Sequence, residues 1–318
     1  MQRRYKEVVC WCIIFSLSLF IISCQQGKSS DTKKDITEET IDNSLVWIYG
    51  HPVLFSMELA FVEVSEEIIA FYILNRNAKS PSQKDNYLRE LQKRYDFIES
   101  KKDLKLNSRE YTMLFAIAYI KEKLGIETLD FRKIIEEQVL SDPLLYPPHI
   151  TTSIWNTLYL ERLGYNPPKA LGDLMPSSTL SREVRERLLL RHVRAQFDPM
   201  FIDPISITIY DMTHEIFSLT DFGELPPPLV IIENQAFFSE LFNEIINWAI
   251  TVKHIDVLAE AIMCVKMLDL KDVTNLQRGI EFIISSQQKD GSFGVTNPGR
   301  PNVFRHGILV SIIALSLP

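Results

Sequence analysis

The chain has 318 residues, of which 46% are hydrophobic and 24% charged, and its 41 acidic side chains outnumber its 34 basic ones. This length and composition supply a full core for one large domain or two small ones, and they exclude a disordered or fibrous protein. The formal net charge of -7 argues against a nucleic-acid-binding protein, because no basic excess is available to neutralise phosphates.

The first 24 residues have the pattern of an export signal. Residues 1–7, MQRRYKE, hold three basic side chains, and the next 16 residues carry no charge. The uncharged stretch ends in Ile21-Ile22-Ser23-Cys24, which is two aliphatic residues, a small residue and a cysteine. This order resembles a bacterial lipobox. An uncleaved N-terminal anchor or an ordinary signal peptide is the alternative interpretation.

The resemblance to a lipobox implies a lipid anchor. In proteins with this motif the cysteine is diacylglycerylated, the peptide bond before it is cut, and the new amine is acylated. Residues 1–23 would then be the signal peptide and Cys24 the lipidated residue, held on a membrane by two or three acyl chains. Gln25 follows the cysteine, which implies the outer membrane if the cell is Gram-negative.

The other cysteines predict that the mature chain has no disulfide. Cys10 and Cys12 would leave with the signal peptide, so Cys264 alone would keep a free thiol and no intramolecular disulfide could form. The fold must then depend on its hydrophobic core.

Residues 25–44 contain two isoleucines among otherwise polar or small residues. This composition predicts that residues 24–44 are the lipidated cysteine and a flexible tether. The folded domain is predicted over residues 45–318.

The rest of the chain is predicted to be helical, because its prolines stand between long stretches of helical periodicity. Amphipathic stretches with a charged face alternate with stretches that are apolar nearly all round, which are typical of outer and enclosed helices. In chain order these are 84–101 (amphipathic), 111–120 (apolar), 130–140 (amphipathic), 149–163 (mixed), 180–196 (amphipathic), 207–219 (mixed), 257–268 (apolar), 273–287 (amphipathic) and 303–317 (apolar). Leu229 to Ile232 is a short strand-like exception.

The spacing of the apolar helices predicts the architecture. Candidate inner helices begin near residues 109, 149, 208, 254 and 303, and each step has the length of one helical hairpin with its loops. We therefore predict an all-α fold, an α/α toroid or curved array of about five to six helical hairpins. A single core shared by the whole domain favours the closed toroid.

Residues 278–294, RGIEFIISSQQKDGSFG, are similar to the repeat motif of terpenoid cyclases and protein prenyltransferases, which are α/α toroids. In those families the segment is an outer helix that ends in a tight turn before the next inner helix. The resemblance implies the fold and carries over no catalytic residue. The DxDD signature of one cyclase class and the Asp-x-Cys element of the prenyltransferase zinc site are both absent from the sequence.

A polar segment around residue 211 is the first candidate site. Asp211 and His214 are three residues apart, so on a helix they share one face, and they are the candidate catalytic pair. If the helix begins near residue 208, the positive end of its dipole disfavours imidazolium and keeps His214 neutral near pH 7. The alternative is that Thr208 or Asp211 is an N-cap and His214 a hydrogen-bonded surface or core residue. The following Asp221-Phe222-Gly223 is predicted to be a helix C-terminus and turn.

Four histidines form a second pattern. His149, His214, His254 and His306 fall near the starts of four candidate inner helices, which in an α/α toroid surround one mouth of the central cavity. Together with Tyr210, the residues His149, His254 and His306 are the candidate binding residues, at a polar mouth suited to a sugar, peptide or phosphate. The alternative is that helix starts favour polar residues in any case. The sequence predicts no cofactor and no metal. Cys264, Trp155, Trp248 and Phe242 are predicted core residues.

These patterns favour an extracytoplasmic lipoprotein held on the membrane through lipid at Cys24. Its toroid would bind a small molecule, a glycan or a protein partner, and no nucleic acid. A hydrolase or lyase acting on a carbohydrate or peptide, with Asp211 and His214 at the cavity mouth, is the alternative. A purely structural component of the cell envelope is the third possibility.

Overall fold

The computed structural model describes part of the chain: residues 36–53, 60–100, 106, 108–126, 131–142, 145–147, 149–181, 202–293 and 301–318. Within these ranges the chain forms helices and no strand, and two residues of a turn, Gln287 and Phe293, make an isolated antiparallel bridge. The predicted signal peptide, Cys24 and most of the helix predicted over 180–196 lie outside the described residues.

The helices are numbered in chain order. They are α1 (36–50), α2 (Ala60–Arg76), α3 (Pro81–Glu99), α4 (Ser108–Leu124), α5 (Phe131–Ile134, continued as a π-helix over Ile135–Val139), α6 (Ile150–Arg162), α7 (Leu171–Leu174, continued as a 3-10 helix over Met175–Ser177), α8 (Ile202–Thr220), α9 (Leu229–Ile232), α10 (Gln235–Thr251), α11 (Ile255–Met267), α12 (Leu276–Ser285) and α13 (Pro301–Ser316). The predicted all-α fold is confirmed.

Six of these helices form a closed inner ring. In the order α2, α4, α6, α8, α11 and α13 each helix packs against the next, and α13 packs against α2. Five of the six were predicted as inner helices. The sixth, α2, was missed because its three glutamates suggest an exposed face, whereas Glu63 and Glu67 are buried in the structure.

Shorter or more polar helices cover the outside of the ring. Helix α3 packs on α2, α5 on α4, α7 on α6, and α10 and α12 on α11. Helix α3 begins where the Ser80 side chain accepts a hydrogen bond from the Gln83 amide and Pro81 takes the first helical position. The amphipathic pattern predicts one buried stripe of Tyr87, Leu88, Leu91, Tyr95 and Ile98. The structure buries four of these side chains and leaves Leu88 exposed.

Two short segments differ in how well the sequence predicted them. The predicted helix end at Asp221-Phe222-Gly223 is confirmed, since α8 ends at Thr220 and all three residues have positive φ. Leu229–Ile232, in contrast, is one turn of helix and not a strand. The Pro228 carbonyl accepts the amides of Ile231 and Ile232, and a run of four apolar residues is too short to distinguish the two structures.

The first described residues belong to the folded domain. Residues 36–44 were predicted to lie in the tether, but they are helical and bury Thr40 and Ser44. The Gln287 side-chain amide donates to the Thr40 carbonyl at 2.7 Å and to Ser44 Oγ at 2.8 Å. The prediction is therefore wrong for residues 36–44, because polar side chains that are buried through hydrogen bonds give no hydrophobic signal.

The interior is one continuous hydrophobic core that runs from α1 to α13, with a small satellite cluster around Ile154, Leu158 and Leu174. The predicted core residues are confirmed, since Cys264, Trp155, Trp248 and Phe242 are all buried. Among the described helices, none combines the length and the apolarity that a membrane span requires.

Candidate functional site

A cluster of ionisable side chains lies on the inner face of the ring, where α8, α11 and α13 meet. It consists of His214, Glu260 and His306, whose ligand-capable atoms lie within 4.8 Å of one another. Glu260 Oε1 is 3.2 Å from His214 Nε2 and 3.2 Å from His306 Nε2. One carboxylate oxygen therefore accepts from two imidazoles that come from different helices.

Glu260 is the fully buried member of this cluster. It stands in the apolar helix α11 and has no exposed surface, and its Oε2 accepts a hydrogen bond from the Thr213 hydroxyl. Burial alone would raise the pKa of Glu260, but the two imidazoles outweigh burial and hold it at about 2. The carboxylate is therefore ionised throughout the physiological range of pH.

His306 is held from both ring nitrogens. Its Nε2 faces Glu260, and its Nδ1 is 3.3 Å from Glu66 Oε2 on α2. Burial lowers the pKa of His306, but Glu66, Asp256 and Glu260 together raise it well above the usual value. The side chain keeps 25% of its surface exposed, so this edge of the cluster opens toward solvent.

His214 lies deeper in its helix than the sequence suggests. Helix α8 begins at Ile202, so His214 is several turns from the N-terminus and the helix dipole does not act on it. Burial lowers the pKa of His214, but the Glu260 carboxylate raises it by more, so the net shift is upward. The helix-dipole argument for a neutral imidazole therefore does not apply, and the pKa of His214 shifts in the direction opposite to the one predicted. The His214 side chain is 37% exposed, and its ring meets Trp155 edge-on at 6.1 Å.

Asp211 pairs with a different histidine from the one predicted. Its Oδ1 is 3.0 Å from His149 Nε2, while His214 turns its Nε2 to Glu260. Burial raises the pKa of Asp211, and the nearby imidazoles of His149 and His214 partly offset that effect. His149 is half exposed, and its Nδ1 lies 3.2 Å from Thr152 Oγ1. The structure thus places an oriented imidazole at the start of α6.

Tyr210 and Asp256 extend the His214–Glu260–His306 cluster. The Tyr210 hydroxyl donates to Asp256 Oδ2 at 2.5 Å, and the Tyr210 ring lies 6.1 Å from that of His214. Asp256 Oδ1 is 3.6 Å from His306 Nε2, and among the residues that the structure describes it has no hydrogen-bond partner. Burial raises the pKa of Asp256. Tyr210 and Asp256 therefore join the His214–Glu260–His306 cluster, and the His149–Asp211 pair is coupled to it through the electrostatic interaction of Asp211 with His214. These residues together form one polar network.

His254, a candidate binding residue, caps a helix. It is the N-cap of α11, where its Nδ1 accepts the Val257 amide at 3.4 Å, and its ring packs 6.2 Å from those of Tyr210 and Trp248. The four histidines of the predicted mouth thus divide into two at helix starts, His149 and His254, and two inside the ring, His214 and His306.

Three residues of the network were missed from the sequence: Glu66, Thr213 and Glu260. Glu260 is the only charged residue between Val257 and Val265, an apolar run that forms a buried helix. A single carboxylate in such a run is costly unless it is paired, and this signal was available in the sequence. Glu66 lies on α2, which was not predicted as an inner helix.

A separate cavity of about 390 Å³ lies beside this network, between α1, α2, α3 and α13. Its charged wall is an ion-pair network in which Arg305 Nε and Arg94 Nε each donate to Glu67 at 2.6 Å. Arg305 precedes His306 in α13, but its side chain is directed toward Glu67 and not toward the cluster. Glu67 therefore neutralises the charge of Arg305, which takes no part in the His214–Glu260–His306 cluster.

Comparisons with known proteins give one match. No curated protein and no solved structure matches the chain. A family model described as "Domain of unknown function (DUF6895)" matches residues 64–301, a range that includes Glu66, His214 and Glu260. Since this range covers well over half of the sequence, the chain belongs to the DUF6895 family.

Proposed function

We propose that this protein is a lipid-anchored extracytoplasmic binding protein whose toroid takes a polar ligand, such as a glycan or a peptide, at the open side of the network. The observation that carries this proposal is the convergence of two imidazoles and three carboxylates on the inner face of the ring: His214 and His306 with Glu66, Asp256 and Glu260.

The accessibility of the network supports ligand binding. Buried charges are costly and contribute little to stability, so a charged cluster inside a ring of apolar helices favours a functional role. Glu66 and Asp211 keep about a fifth of their side-chain surface exposed, and His149 keeps half. Donors and acceptors are therefore available to a ligand without rearrangement of the helices.

Replacing Asp211 with asparagine is expected to weaken ligand binding at least about tenfold, because a hydrogen bond to a charged group contributes about 1.5–3 kcal/mol. The measurement is calorimetric titration of the protein with N-acetylglucosamine oligomers and with short peptides. Tryptophan fluorescence serves as a second readout, since the ring of Trp155, one of four tryptophans, contacts His214.

Asp173→Asn is the matched control, because Asp173 is exposed on α7. Equal affinities of the Asp211→Asn and Asp173→Asn variants, or no binding of any of these probes, would contradict the proposed ligand site.

A hydrolase or lyase is the second candidate, and the His149–Asp211 pair favours it. A carboxylate that orients a half-exposed imidazole is the arrangement of a general base. Conversion of a titrated oligosaccharide or peptide into products, lost in Asp211→Asn, would support this candidate over simple binding.

The anchor is supported by the resemblance of Ile21-Ile22-Ser23-Cys24 to a lipobox. Cys24→Ala is expected to move nearly all of the protein from the membrane to the soluble extracytoplasmic fraction, because acylation supplies the membrane affinity. Cell fractionation and mass spectrometry of the N-terminal peptide measure this outcome. Cys12→Ala is the control, since that residue would be removed with the signal. Unchanged retention of Cys24→Ala would show that residues 8–23 hold the protein instead.

A further inference from the structure

We infer that His214, Glu260 and His306 form a binding site for one divalent transition metal ion, with Zn²⁺ as the best-suited ion. The inference deepens the proposed function and rests on it for the identity of the site, because the metal would occupy the network to which the polar ligand binds. It differs from the sequence-based expectation, which predicts no metal.

The distances between the donor atoms suit a small tetrahedral ion. A zinc ion with bonds of about 2.0–2.1 Å places neighbouring ligand atoms roughly 3.3 Å apart. Glu260 Oε1 is 3.2 Å from each of the two Nε2 atoms, and the three atoms lie within 4.8 Å of one another. The three donors come from α8, α11 and α13, so helix packing holds them in place.

The surrounding residues hold two of the donors in the orientation that a metal needs. His306 Nδ1 donates to Glu66 Oε2 at 3.3 Å, which leaves Nε2 to coordinate. The Thr213 hydroxyl donates to Glu260 Oε2, which leaves Oε1 directed toward the two imidazoles. Carboxylate–histidine–metal arrangements of this kind fix the ring and increase its basicity.

Asp256 provides an independent observation. Its Oδ1 is buried, lies 3.6 Å from His306 Nε2 and has no hydrogen-bond partner among the described residues. A buried acceptor without a donor is destabilising, so its position beside the three donor atoms needs an explanation. A cation, or a water molecule bound to it, would supply the missing partner.

The charges of the network also favour a cation. Glu66, Asp256 and Glu260 surround two imidazoles, and without a metal the Nε2 protons of those imidazoles face Glu260. On binding, the ion would replace the two Nε2 protons, which pass to solvent. Two nitrogen donors and one carboxylate suit zinc and its transition-metal neighbours better than calcium or magnesium, which prefer all-oxygen sites.

The exposure of the site indicates which ligand chemistry it would accept. Three protein donors leave the fourth position of a tetrahedral ion open, which is typical of catalytic sites and not of closed structural ones. His214 and His306 are the exposed members, so the open position would face the ring opening. A ligand would bind there through a carboxylate, carbonyl or hydroxyl oxygen.

The test is a metal titration of the full chain, purified in detergent and stripped with a chelator. We expect one equivalent of Zn²⁺ to bind, measured by competition with a chromophoric chelator and by elemental analysis. His306→Ala and Glu260→Gln should each weaken binding at least about 100-fold, and Glu66→Gln about tenfold to 100-fold. His51→Gln should bind like the wild type, because His51 is an exposed histidine outside the cluster. Co²⁺ should show the visible absorption bands of a four-coordinate ion.

Two results would overturn the inference: a folded wild-type chain that binds no Zn²⁺ or Co²⁺, or one equivalent that is retained by both His214→Ala and His306→Ala. Far-UV circular dichroism establishes that each variant is folded. If His306→Ala does not fold, Thr213→Val keeps the shape of the core, loses the donor to Glu260 and should still weaken the metal affinity. Binding of a saccharide or peptide by a chain that binds no Zn²⁺ or Co²⁺ would refute the metal site alone, and metal binding without any probe binding would refute the proposed function alone.

Discussion

Replacing Glu67 with glutamine is expected to destabilise the fold by about 3–5 kcal/mol, the loss that follows when one partner of a buried ion pair is removed. Glu67 accepts from Arg305 through Oε1 and from Arg94 through Oε2, and only 8% of the Arg305 side chain is exposed. Glutamine keeps the shape but not the charge, so the Arg305 guanidinium would stay buried without the carboxylate that accepts its hydrogen bonds. Urea unfolding followed by circular dichroism measures the difference.

Glu38→Gln is the matched control, because Glu38 and Lys79 form an ion pair whose side chains are both about half exposed. Such pairs contribute less than about 1 kcal/mol. If Glu67→Gln is no more destabilising than Glu38→Gln, the pairing of Glu67 with two arginines does not stabilise this part of the ring.

The position of Glu67 explains why a large effect is expected. Its partners lie on α3 and α13, and α13 packs against α2 to close the ring. The first and last inner helices are far apart in the sequence, so the contact between them forms by a long-range encounter and depends on specific pairing. An ion-pair network at this contact fixes which face of α13 meets α2, and His306 is oriented toward Glu66 by the same packing.

The sequence predicted the positions of the apolar inner helices well, but it missed α2 and misplaced the start of α8. The starts of α4, α6 and α11 lie within one residue of their predicted positions, because each follows a clear change from polar to apolar. The start of α8 was placed near 208, since Pro204 was interpreted as a boundary between helices. Pro204 instead lies in the first turn of α8, where its missing amide hydrogen costs no bond.

The sequence predicted some residues of the candidate site but not the pairs that they form. Histidines near helix starts can be counted, but the partner of each imidazole depends on which helices become neighbours. Asp211 and His214 share a helix, yet each pairs with a residue from another helix, His149 and Glu260. Spacing within one helix predicts a shared face and does not predict the charge that lies opposite that face.

Gly291→Ala is expected to destabilise the domain more than an ordinary glycine replacement. Gly291 has a φ of +90°, and an added Cβ would overlap the carbonyl oxygen of Asn43 and lie 2.6 Å from its carbonyl carbon. The left-handed backbone alone costs an alanine about 1–2 kcal/mol. Contact with the backbone of α1 should add roughly 1–3 kcal/mol, because neither segment can move without losing the hydrogen bond from Ser44 Oγ to the Gly291 carbonyl.

Gly164→Ala separates these two costs. Gly164 has a φ of +81° and no atom within 4 Å of an added Cβ, so it carries the backbone cost without the contact. We therefore expect Gly291→Ala to lower the free energy of unfolding by more than Gly164→Ala, as measured by urea denaturation of both variants. The difference reports how firmly α1 is packed on the turn at 287–293. Equal losses would mean that the contact between Asn43 and this turn does not add to the stability of the domain.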